Sequence, residues 1–391
     1  MSYEKKDNIK RRILQITITE RCNLNCVYCY EHNKDLEILS IEKIKDFIIS
    51  ETANLDGFDE IEFDFHGGEP MLAFPQIKEI AEWIWSRKWS KPYILFATTN
   101  GTLVHGEIKE WFRKNAKRFV LGLSLDGTKK QHDINRSNSY DKIDFSFFRE
   151  MWPTQGVKAT VSPASIHDFA AGVKHIVELG FNYSINLAYG MNWTDDLLPI
   201  YRRELQKVVD FYLEHPELEV PSLFAHIVSI VGVNSTKKIK DRENRKWCGT
   251  GKNMICIAPN GKTYPCQAFM PSSEVENGES LSTKIDFTEN ENFHDPICME
   301  CILDSACPCC YGNNYARTGT LYERDKSLCK FRKIEAVASS YFYGMVFKDL
   351  QKFPQFAKMD DSKKLAIARG IKIIQEAYAN EVMNYGETID V

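Results

Sequence analysis

The chain has 391 residues, of which 43% are hydrophobic and 27% are charged, and its formal net charge is −4. This composition is typical of a globular protein, and the slight acidity excludes a non-specific grip on nucleic acid or on an anionic membrane. No stretch approaches the roughly 18 consecutive apolar residues of a membrane helix. Since the charged start MSYEKKDNIKRR is also unlike a secretory signal, we expect a cytoplasmic protein.

Strand-like and helix-like segments alternate along residues 13–215. The predicted strands are short runs rich in branched and aromatic residues, and the predicted helices have apolar residues three or four positions apart. The strands are predicted at residues 13–19, 60–66, 93–99, 118–126, 157–162 and 181–189. The helices are predicted at residues 41–53, 74–87, 107–115, 145–152, 167–180 and 195–215.

These six βα units predict an α/β fold with a parallel sheet and outer helices. A partial (β/α)6 TIM-like barrel and a doubly wound sheet both fit the alternation. In either case the functional residues should gather at the carboxyl ends of the strands. Residues 22–29, 67–70 and 126–127, which carry the most unusual side-chain patterns, do follow predicted strands.

The rest of the chain divides by composition into three parts. Residues 1–214 are predicted to form the α/β unit, and residues 215–247 a connector. Residues 248–329 combine nine cysteines with many turn signals, which predicts a small loop-rich domain that needs metal to hold it together. Residues 330–391 are predicted to be helical.

The twelve cysteines fall into two groups, three at 22–29 and nine at 248–329. Disulfides are not expected, because the cytoplasm keeps thiols reduced. Cys22, Cys26 and Cys29 form a Cys-x3-Cys-x2-Cys loop after the first strand. A zinc site would need four ligands, and His32 is the candidate for the fourth. Three thiolates alone fit a [4Fe–4S] cluster that keeps one iron free for another ligand.

This loop resembles the signature of the radical S-adenosylmethionine (SAM) enzymes, in which Cys-x3-Cys-x2-Cys follows the first strand of a six-unit partial barrel. The resemblance implies that Cys22, Cys26 and Cys29 bind the cluster and that SAM binds its free iron. It also implies that an electron cleaves SAM and that the resulting 5′-deoxyadenosyl radical abstracts a hydrogen atom. An external reductant such as a flavodoxin or ferredoxin would supply the electron.

Two further motifs resemble the same family. GGEP at 67–70 resembles the segment that receives the SAM amino group, and SLDG at 124–127 resembles a segment found in a subset of the family. In that subset Ser124 and Arg136 would hold the ribose and the carboxylate, and Tyr28 would lie near the adenine. The alternatives are a tight turn at the glycines and a structural Ser and Arg. The implied SAM-binding residues are Tyr28, Gly67, Gly68, Glu69, Ser124 and Arg136.

The second cysteine group resembles the SPASM extension of radical SAM enzymes that modify peptides. The resemblance implies two more [4Fe–4S] clusters, three in all. The nearer cluster would take Cys248, Cys256, Cys266 and Cys310. The farther cluster would take Cys298, Cys301, Cys307 and Cys329.

Three points in this second group stay open. Two residues separate Cys307 from Cys310 where the common pattern has three, so Cys309 is an alternative ligand to Cys310. Cys256 lies in a strand-like segment and is either a ligand or a core residue. If it is a core residue, the nearer cluster keeps an open iron. Finally, the paired cysteines would also suit zinc in a structural module.

These resemblances imply an oxidoreductase that acts on a peptide or protein, and two activities fit. One is maturation of a ribosomally made peptide through a thioether or carbon–carbon cross-link, which the run Cys29-Tyr30-Glu31 favours. The other is formation of formylglycine from Cys or Ser in a sulfatase. A non-catalytic iron–sulfur electron carrier is a third hypothesis, although it would need no SAM pocket.

Two expectations concern partners and proton transfer. About twenty residues precede Cys22, too few for a leader-binding domain, so leader recognition would use a separate protein or other surfaces of this chain. Loss of a proton from the substrate requires a base near the mouth of the barrel. Tyr30, Glu31 and His66 are candidates for that base by position alone.

Overall fold

The structure is a computed structural model that describes residues 9–34, 36–237, 246–378 and 380. Its strands are β1 (Arg11–Thr19), β2 (Glu60–Gly67), β3 (Tyr93–Thr99), β4 (Phe119–Leu123), β5 (Val157–Val161), β6 (Tyr183–Leu187), β7 (Met254–Ile257) and β8 (Thr263–Tyr264). Its α-helices are α1 (Ile41–Glu51), α2 (Phe74–Trp85), α3 (Gly106–Asn115), α4 (Lys129–Asn135), α5 (Phe145–Met151), α6 (Phe169–Glu178), α7 (Leu197–Glu214), α8 (Ser222–Ala225), α9 (Ile227–Asn234), α10 (Leu281–Lys284), α11 (Pro296–Met299), α12 (Tyr311–Thr318), α13 (Cys329–Lys348), α14 (Pro354–Ala357) and α15 (Asp361–Ala377).

Strands β1 to β6 follow one another in chain order around an open barrel. β1 pairs in parallel with β2, β2 with β3, and β3 with β4. β5 pairs in parallel with β6, and a parallel bridge between Ser124 and Lys158 connects the end of β4 to β5. A doubly wound sheet would reverse its strand order at a switch point. The prediction of a partial barrel is therefore confirmed, and the doubly wound alternative is wrong.

Each strand presents one face to the helices and the other to the barrel interior, because successive side chains point to opposite sides. In β2, Phe65 is fully buried in the main apolar core and stacks on Phe119 of β4, with ring centroids 5.3 Å apart. Asp64 points the other way and accepts a hydrogen bond from Gln15 Nε2 of β1 at 3.3 Å. The interior of the barrel is therefore polar beside β2.

The predicted helices of the barrel are present with shifted ends. α1 begins after Ser40, whose Oγ accepts from Lys43 N at 3.3 Å, as expected for an N-cap. α4 was not predicted from the sequence. A capping box between Thr128 and Gln131 begins it, and this Thr-x-x-Gln spacing was a readable signal.

The cysteine-rich region does not begin as a separate layer, because its first strand extends the barrel sheet. β7 pairs in parallel with β1, with Ile13 opposite Met254 and Ile16 opposite Ile257. β8 then turns back antiparallel to β7. The turn contains Gly261, whose φ of +76° is a left-handed conformation that glycine adopts without strain. This pairing was not predicted from the sequence.

A second apolar cluster lies beyond this hairpin. It includes Phe269, Phe287 and Phe293, and Phe293 meets Tyr311 with ring centroids 4.7 Å apart. The surrounding chain forms short helices and turns, as a loop-rich region should. The domain boundaries given above remain predictions.

The C-terminal helices are present as predicted, as far as residue 380. α15 crosses α9 so closely that a Cβ at Gly232 would lie 1.7 Å from Ala366 O. Parts of the predicted connector and C-terminal segment, residues 238–245, 379 and 381–391, lie outside the described residues, as do residues 1–8 and 35. Among the described helices, none has the length and apolar content needed to cross a bilayer.

Candidate active site

The loop after β1 carries the first cysteine group and forms part of a cavity. Cys22, Cys26 and Cys29 all line this cavity, which has a volume of about 540 Å³ and lies at the carboxyl ends of the barrel strands. Cys29 N donates to Cys26 O at 3.0 Å, which folds the loop into a turn. Leu24 N donates to Cys22 Sγ at 3.5 Å. The three thiols are thus gathered on one wall by local backbone geometry.

Burial governs the chemistry of these thiols. It raises the pKa of Cys26 to about 11, against the opposing charge of Arg136, and it also raises the pKa of Cys22. The free thiols of Cys22 and Cys26 are therefore protonated at neutral pH. Metal ligation must displace those protons, because the thiolate is the ligand.

An amide network ties the cysteine loop to the end of β3. Asn100 Nδ2 donates to Asn23 Oδ1 at 2.9 Å, and Asn23 Nδ2 donates to Thr102 Oγ1 at 2.8 Å. Thr102 also donates to Asn100 Oδ1, at 2.7 Å from its hydroxyl. These contacts fix the loop against the barrel. No role for Asn100 in the site was predicted from the sequence.

The glycines of the GGEP segment are required by close backbone approach. A Cβ at Gly68 would lie 2.4 Å from Glu20 O and 2.5 Å from Arg21 O, the two residues that precede Cys22. Gly68 N donates to Thr19 O at 3.0 Å. The segment therefore lies directly against the cysteine loop, and both Gly67 and Gly68 line the cavity.

The Glu69 side chain is used within the wall of the cavity. Its fully buried carboxylate accepts from Met71 N at 3.0 Å, Thr99 Oγ1 at 2.7 Å and Asn100 N at 2.8 Å. Burial raises the pKa of Glu69, and these hydrogen bonds oppose that rise. The carboxylate thus joins the ends of β2 and β3, which leaves the backbone of the segment to face a ligand.

Tyr28, Asp126 and Arg136 form a buried polar group beside the cysteines. Tyr28 donates its hydroxyl proton to Asp126 Oδ2 at 2.5 Å, and Arg136 Nε lies 3.0 Å from the same oxygen. The Arg136 guanidinium lies over the Tyr28 ring, 5.4 Å from its centroid. Tyr28 and Arg136 both line the cavity. Asp126 orients them, and this role was not predicted from the sequence.

Ser124 and His132 occupy different positions relative to the cavity. Ser124 lines it, and its N–H donates to Thr99 O at 3.0 Å. His132 is fully buried, with Nε2 3.0 Å from Ser139 Oγ. Burial lowers the pKa of His132 to about 4, so its ring is neutral and structural.

The three candidate bases line the same cavity. Glu31 Oε1 and His66 Nδ1 are buried and find no hydrogen-bond partner within the described part of the chain. Burial raises the pKa of Glu31 to about 7, and it lowers the pKa of His66. Tyr30 is 44% exposed. Their buried polar atoms without a partner among the described residues favour Glu31 and His66 over Tyr30 as the base.

Part of the second cysteine group reaches the same cavity. Cys309 and Cys310 both line it. Cys310 is also an electrostatic neighbour of Cys266 and Cys248, whose pKa values are raised first by burial and further by Cys310. Cys309, like Cys266, packs into the second apolar cluster, and its pKa is raised first by burial and further by Cys307 and Cys248. Cys310 is thus the neighbour of both Cys248 and Cys266, and Cys309 stays the alternative ligand.

Cys256 lies apart in β7. It is fully buried, with its Sγ 3.3 Å from Thr17 Oγ1 and 3.9 Å from Met270 Sδ. Burial raises the pKa of Cys256 to about 12. These contacts suit a core cysteine of the β1–β7 seam.

The remaining cysteines form another group near the start of α13. The pKa of Cys307 is raised by burial and also by the nearby Cys329, and the pKa of Cys329 is raised by burial and also by Cys301. Cys298 accepts a hydrogen bond from Lys326 Nζ at 3.4 Å.

The spacing of the cysteine thiols distinguishes a site for a single metal ion from a site for an iron–sulfur cluster. Across the described ranges, no three His, Cys, Asp or Glu side chains converge on a single metal ion. A four-iron cluster places each thiolate on a different iron, so its cysteines need not converge in this way. The grouped thiols fit clusters better than zinc, and the glycines pack the GGEP segment against the backbone that precedes Cys22.

Comparison with known proteins identifies the family. The model described as the Radical SAM superfamily matches residues 16–199. A GTP 3′,8-cyclase of Clostridium botulinum is 30% identical over 316 residues, which cover 72% of this chain and 91% of the cyclase. A cysteine-type anaerobic sulfatase-maturating enzyme of Clostridium perfringens (strain ATCC 13124) is 21% identical over 354 residues, which cover 82% of this chain and 91% of that enzyme.

One relative is a longer protein. The antilisterial bacteriocin subtilosin biosynthesis protein AlbA of Bacillus subtilis (strain 168) is 26% identical over 279 residues, 66% of this chain. The chain spans 56% of the length of AlbA.

Two solved structures share the fold. Native anSMEcpe with bound AdoMet and Cp18Cys peptide superposes with a TM-score of 0.61 at 19% identity, covering 89% of this chain and all of that chain. Streptococcus suis SuiB bound to precursor peptide SuiA gives a TM-score of 0.55 at 18% identity, covering 81% of this chain and 75% of SuiB. The motifs, the barrel and these relatives agree, and the chain belongs to the radical SAM superfamily.

Proposed function

We propose that the chain is a radical SAM/SPASM peptide maturase that introduces an oxidative modification, such as a thioether or carbon–carbon cross-link, into a ribosomally made peptide. The observation that carries the proposal is the single cavity that Cys22, Cys26 and Cys29 share with Cys310. A substrate residue in that cavity would lie between a hydrogen-abstracting centre and an electron acceptor. The names of AlbA, a bacteriocin biosynthesis protein, and of SuiB with its precursor peptide support a peptide substrate.

The proposed cofactors are SAM and three [4Fe–4S] clusters. Bound at Cys22, Cys26 and Cys29, the first cluster and SAM would supply the radical that removes a hydrogen atom. Gly67 and Gly68 would let the backbone reach SAM, and Arg136 would face its carboxylate, since a guanidinium can bind both oxygens. Ser124 and Tyr28 would complete the pocket as ribose and adenine contacts.

The oxidation must also remove a proton and an electron from the substrate. Glu31 and His66 have buried polar atoms that face the cavity without a partner among the described residues. We assign the proton to one of these two side chains. The electron would pass to the clusters of the second cysteine group, and an external flavodoxin or ferredoxin would supply the electron that cleaves SAM. Leader recognition would use a separate protein or other surfaces of this chain.

The first experiment measures iron and acid-labile sulfide per chain after anaerobic reconstitution. The wild type should contain about 12 iron atoms, and a variant with Cys22, Cys26 and Cys29 changed to Ala should contain about 8. The wild type alone should convert SAM to 5′-deoxyadenosine under reducing conditions. Zinc in place of iron with intact SAM would contradict the proposal. Full clusters without SAM cleavage would favour the electron-carrier hypothesis.

The sulfatase-maturase activity is the second candidate, because a sulfatase-maturating enzyme matches along 82% of this chain. Mass spectrometry separates the two activities. A cross-linked peptide loses two hydrogen atoms, whereas formylglycine made from Cys exchanges the thiol for an aldehyde oxygen. We would incubate the reconstituted protein with SAM and, in parallel, with short peptides encoded beside its gene and with a sulfatase-derived Cys peptide. Turnover of only the sulfatase peptide would replace the maturase proposal.

A further inference from the structure

The farther cluster site, defined as Cys298, Cys301, Cys307 and Cys329, is surrounded by three cations. They are Lys326, Arg324 and Arg332, and we call them the cationic collar. Each is paired with a carboxylate, Lys326 donates directly to a thiol, and the two arginines keep buried N–H groups that have no partner among the described residues. The inference drawn from them rests on the proposed function, which places a [4Fe–4S] cluster at this site.

Lys326 touches the site directly. Its Nζ donates to Cys298 Sγ at 3.4 Å and is paired with Asp295 Oδ2. Asp295 is itself fixed, because it accepts from Arg324 N at 3.0 Å and from Ile297 N at 2.9 Å. The carboxylate therefore holds the ammonium group against the sulfur.

Arg324 is buried on another side of the site, with a side chain only 6% exposed. Nη1 and Nη2 donate to Asp304 O at 3.2 Å and to Asp304 Oδ1 at 3.1 Å. Nε is buried and has no partner within the described ranges. Asp304 lies between Cys301 and Cys307, and its N–H donates to Cys301 O at 3.1 Å, so the guanidinium packs against the loop that carries these two ligands.

Arg332 approaches from α13, three residues after Cys329 and therefore on the same face of that helix. Its Nη1 donates to both carboxylate oxygens of Glu335, at 2.9 and 2.7 Å. Nε and Nη2 are buried, and neither has a partner in the part of the chain that the structure describes.

The nearer cluster site has a different cation. Lys246 lies close to Cys248, but its Nζ donates to the carbonyl oxygens of Thr250 and Phe287, the latter at 2.9 Å. It also lies 4.5 Å from the centroid of the Phe293 ring. Its donors are thus engaged by backbone and aromatic groups, whereas Lys326 of the collar donates to a cysteine sulfur.

Hydrogen bonds to cluster sulfurs and nearby positive charge favour the more negative, reduced form of a cluster. We propose that the cationic collar makes the farther cluster the more easily reduced of the two auxiliary clusters. The farther cluster would then hold the electron that the substrate loses, away from the cavity.

The test is a redox titration of the reconstituted full chain, followed by electron paramagnetic resonance, with iron counted in each sample. Lys326→Met is the first variant, since its side chain is 39% exposed and its loss should be tolerated. We expect the ratio of reduced to oxidised farther cluster at a fixed potential to fall about tenfold, or ~59 mV for a one-electron couple. Arg332→Lys, which keeps the charge and the Glu335 partner but loses the fork, should shift the same signal less.

Lys330→Met is the matched control, because Lys330 lies on α13, the helix of Arg332, with a side chain 62% exposed and paired with Asp195. It should leave every cluster signal unchanged. Unchanged potentials in both Lys326→Met and Arg332→Lys, at full iron content, would overturn the collar. A loss of about four iron atoms in Lys326→Met would also overturn it, since the lysine would then hold the cluster rather than tune it. About four iron atoms in the wild type would instead refute the three-cluster proposal itself.

Discussion

Single residues decide how closely the backbone of this site can approach a ligand. Gly68 lies between the carbonyl oxygens of Glu20 and Arg21, so the GGEP segment and the cysteine loop are packed backbone to backbone. A methyl group would push them apart. The GGEP glycines were predicted from the sequence as ligand contacts. The structure adds that a side chain at Gly68 has no room beside the cysteine loop.

Gly68→Ala should weaken SAM binding about tenfold or more, ~1.4 kcal/mol, because overpacking at this contact displaces the cysteine loop. Binding would be measured by equilibrium dialysis on the reconstituted protein. Gly344→Ala is the control, since its nearest atom, Gln375 Nε2, lies 4.0 Å from the added Cβ. Equal affinities in the two variants would show that the close packing at Gly68 does not matter for SAM.

The sequence left two adjacent cysteines as alternative ligands, and their surroundings now differ. Cys310 influences both Cys248 and Cys266, whereas Cys309 has Cys307 and Cys248 as its cysteine neighbours. Cys310→Ala should therefore lower the iron content from about 12 towards about 8 atoms per chain, and Cys309→Ala should leave it near 12. Iron analysis after reconstitution checks this, and the reverse pattern would assign the ligand to Cys309.

At the scale of elements, the interior face of β2 makes the free energy of unfolding depend on pH. This face bears Glu62, which accepts from Arg11 Nη1 at 2.9 Å. Burial, and then the charge of Asp64, raises the pKa of Glu62 to about 7 despite Arg11. Between about pH 4.5 and pH 7 the folded state therefore binds more protons than the unfolded state. The free energy of unfolding should fall as pH rises through this window.

Glu62→Gln should remove part of that fall, because the amide does not ionise. Between pH 5 and pH 8, the free energy of unfolding of the variant should fall by about 1–3 kcal/mol less than that of the wild type. Anaerobic urea unfolding of the reconstituted proteins at both pH values gives the comparison. Parallel losses of stability in the two proteins would mean that Glu62 is already ionised in the folded state.

Hydrophobic periodicity was enough to predict the barrel strands and most of its helices, because each buries one regular face. It missed α4, a short helix whose signal is the Thr128 and Gln131 capping box rather than an apolar stripe. Motif resemblance predicted Tyr28 and Arg136 as pocket residues. It gave no role to Asp126, which joins them, since that hydrogen bond connects residues 98 positions apart.

For the whole molecule, the structure adds a seam between the barrel and the cysteine-rich region that the sequence did not predict. The sequence suggested a barrel that ends before a separate stapled domain. In the structure β7 occupies the edge of β1, a long-range pairing that local patterns do not encode. Thr17 and Cys256 meet across this seam with their side-chain atoms 3.3 Å apart.

A chain truncated after residue 237 should therefore not behave as an independent barrel. It would expose the unpaired edge of β1, and exposed edges of this kind promote association. Size-exclusion chromatography with light scattering should show aggregates, while the full chain, reconstituted in the same way, remains a defined species. A monomeric truncated chain with cooperative unfolding would show that the barrel is self-sufficient.

The β1–β7 pairing also has a consequence for the order of events during synthesis. The edge of β1 at Ile13 is synthesised about 240 residues before its partner at Met254. At 5–20 residues per second, that delay is roughly 10 to 50 s. During this time the growing polypeptide carries an uncovered strand, together with the thiols of Cys22, Cys26 and Cys29, so we expect chaperone occupancy on the ribosome to persist until β7 has left the exit tunnel.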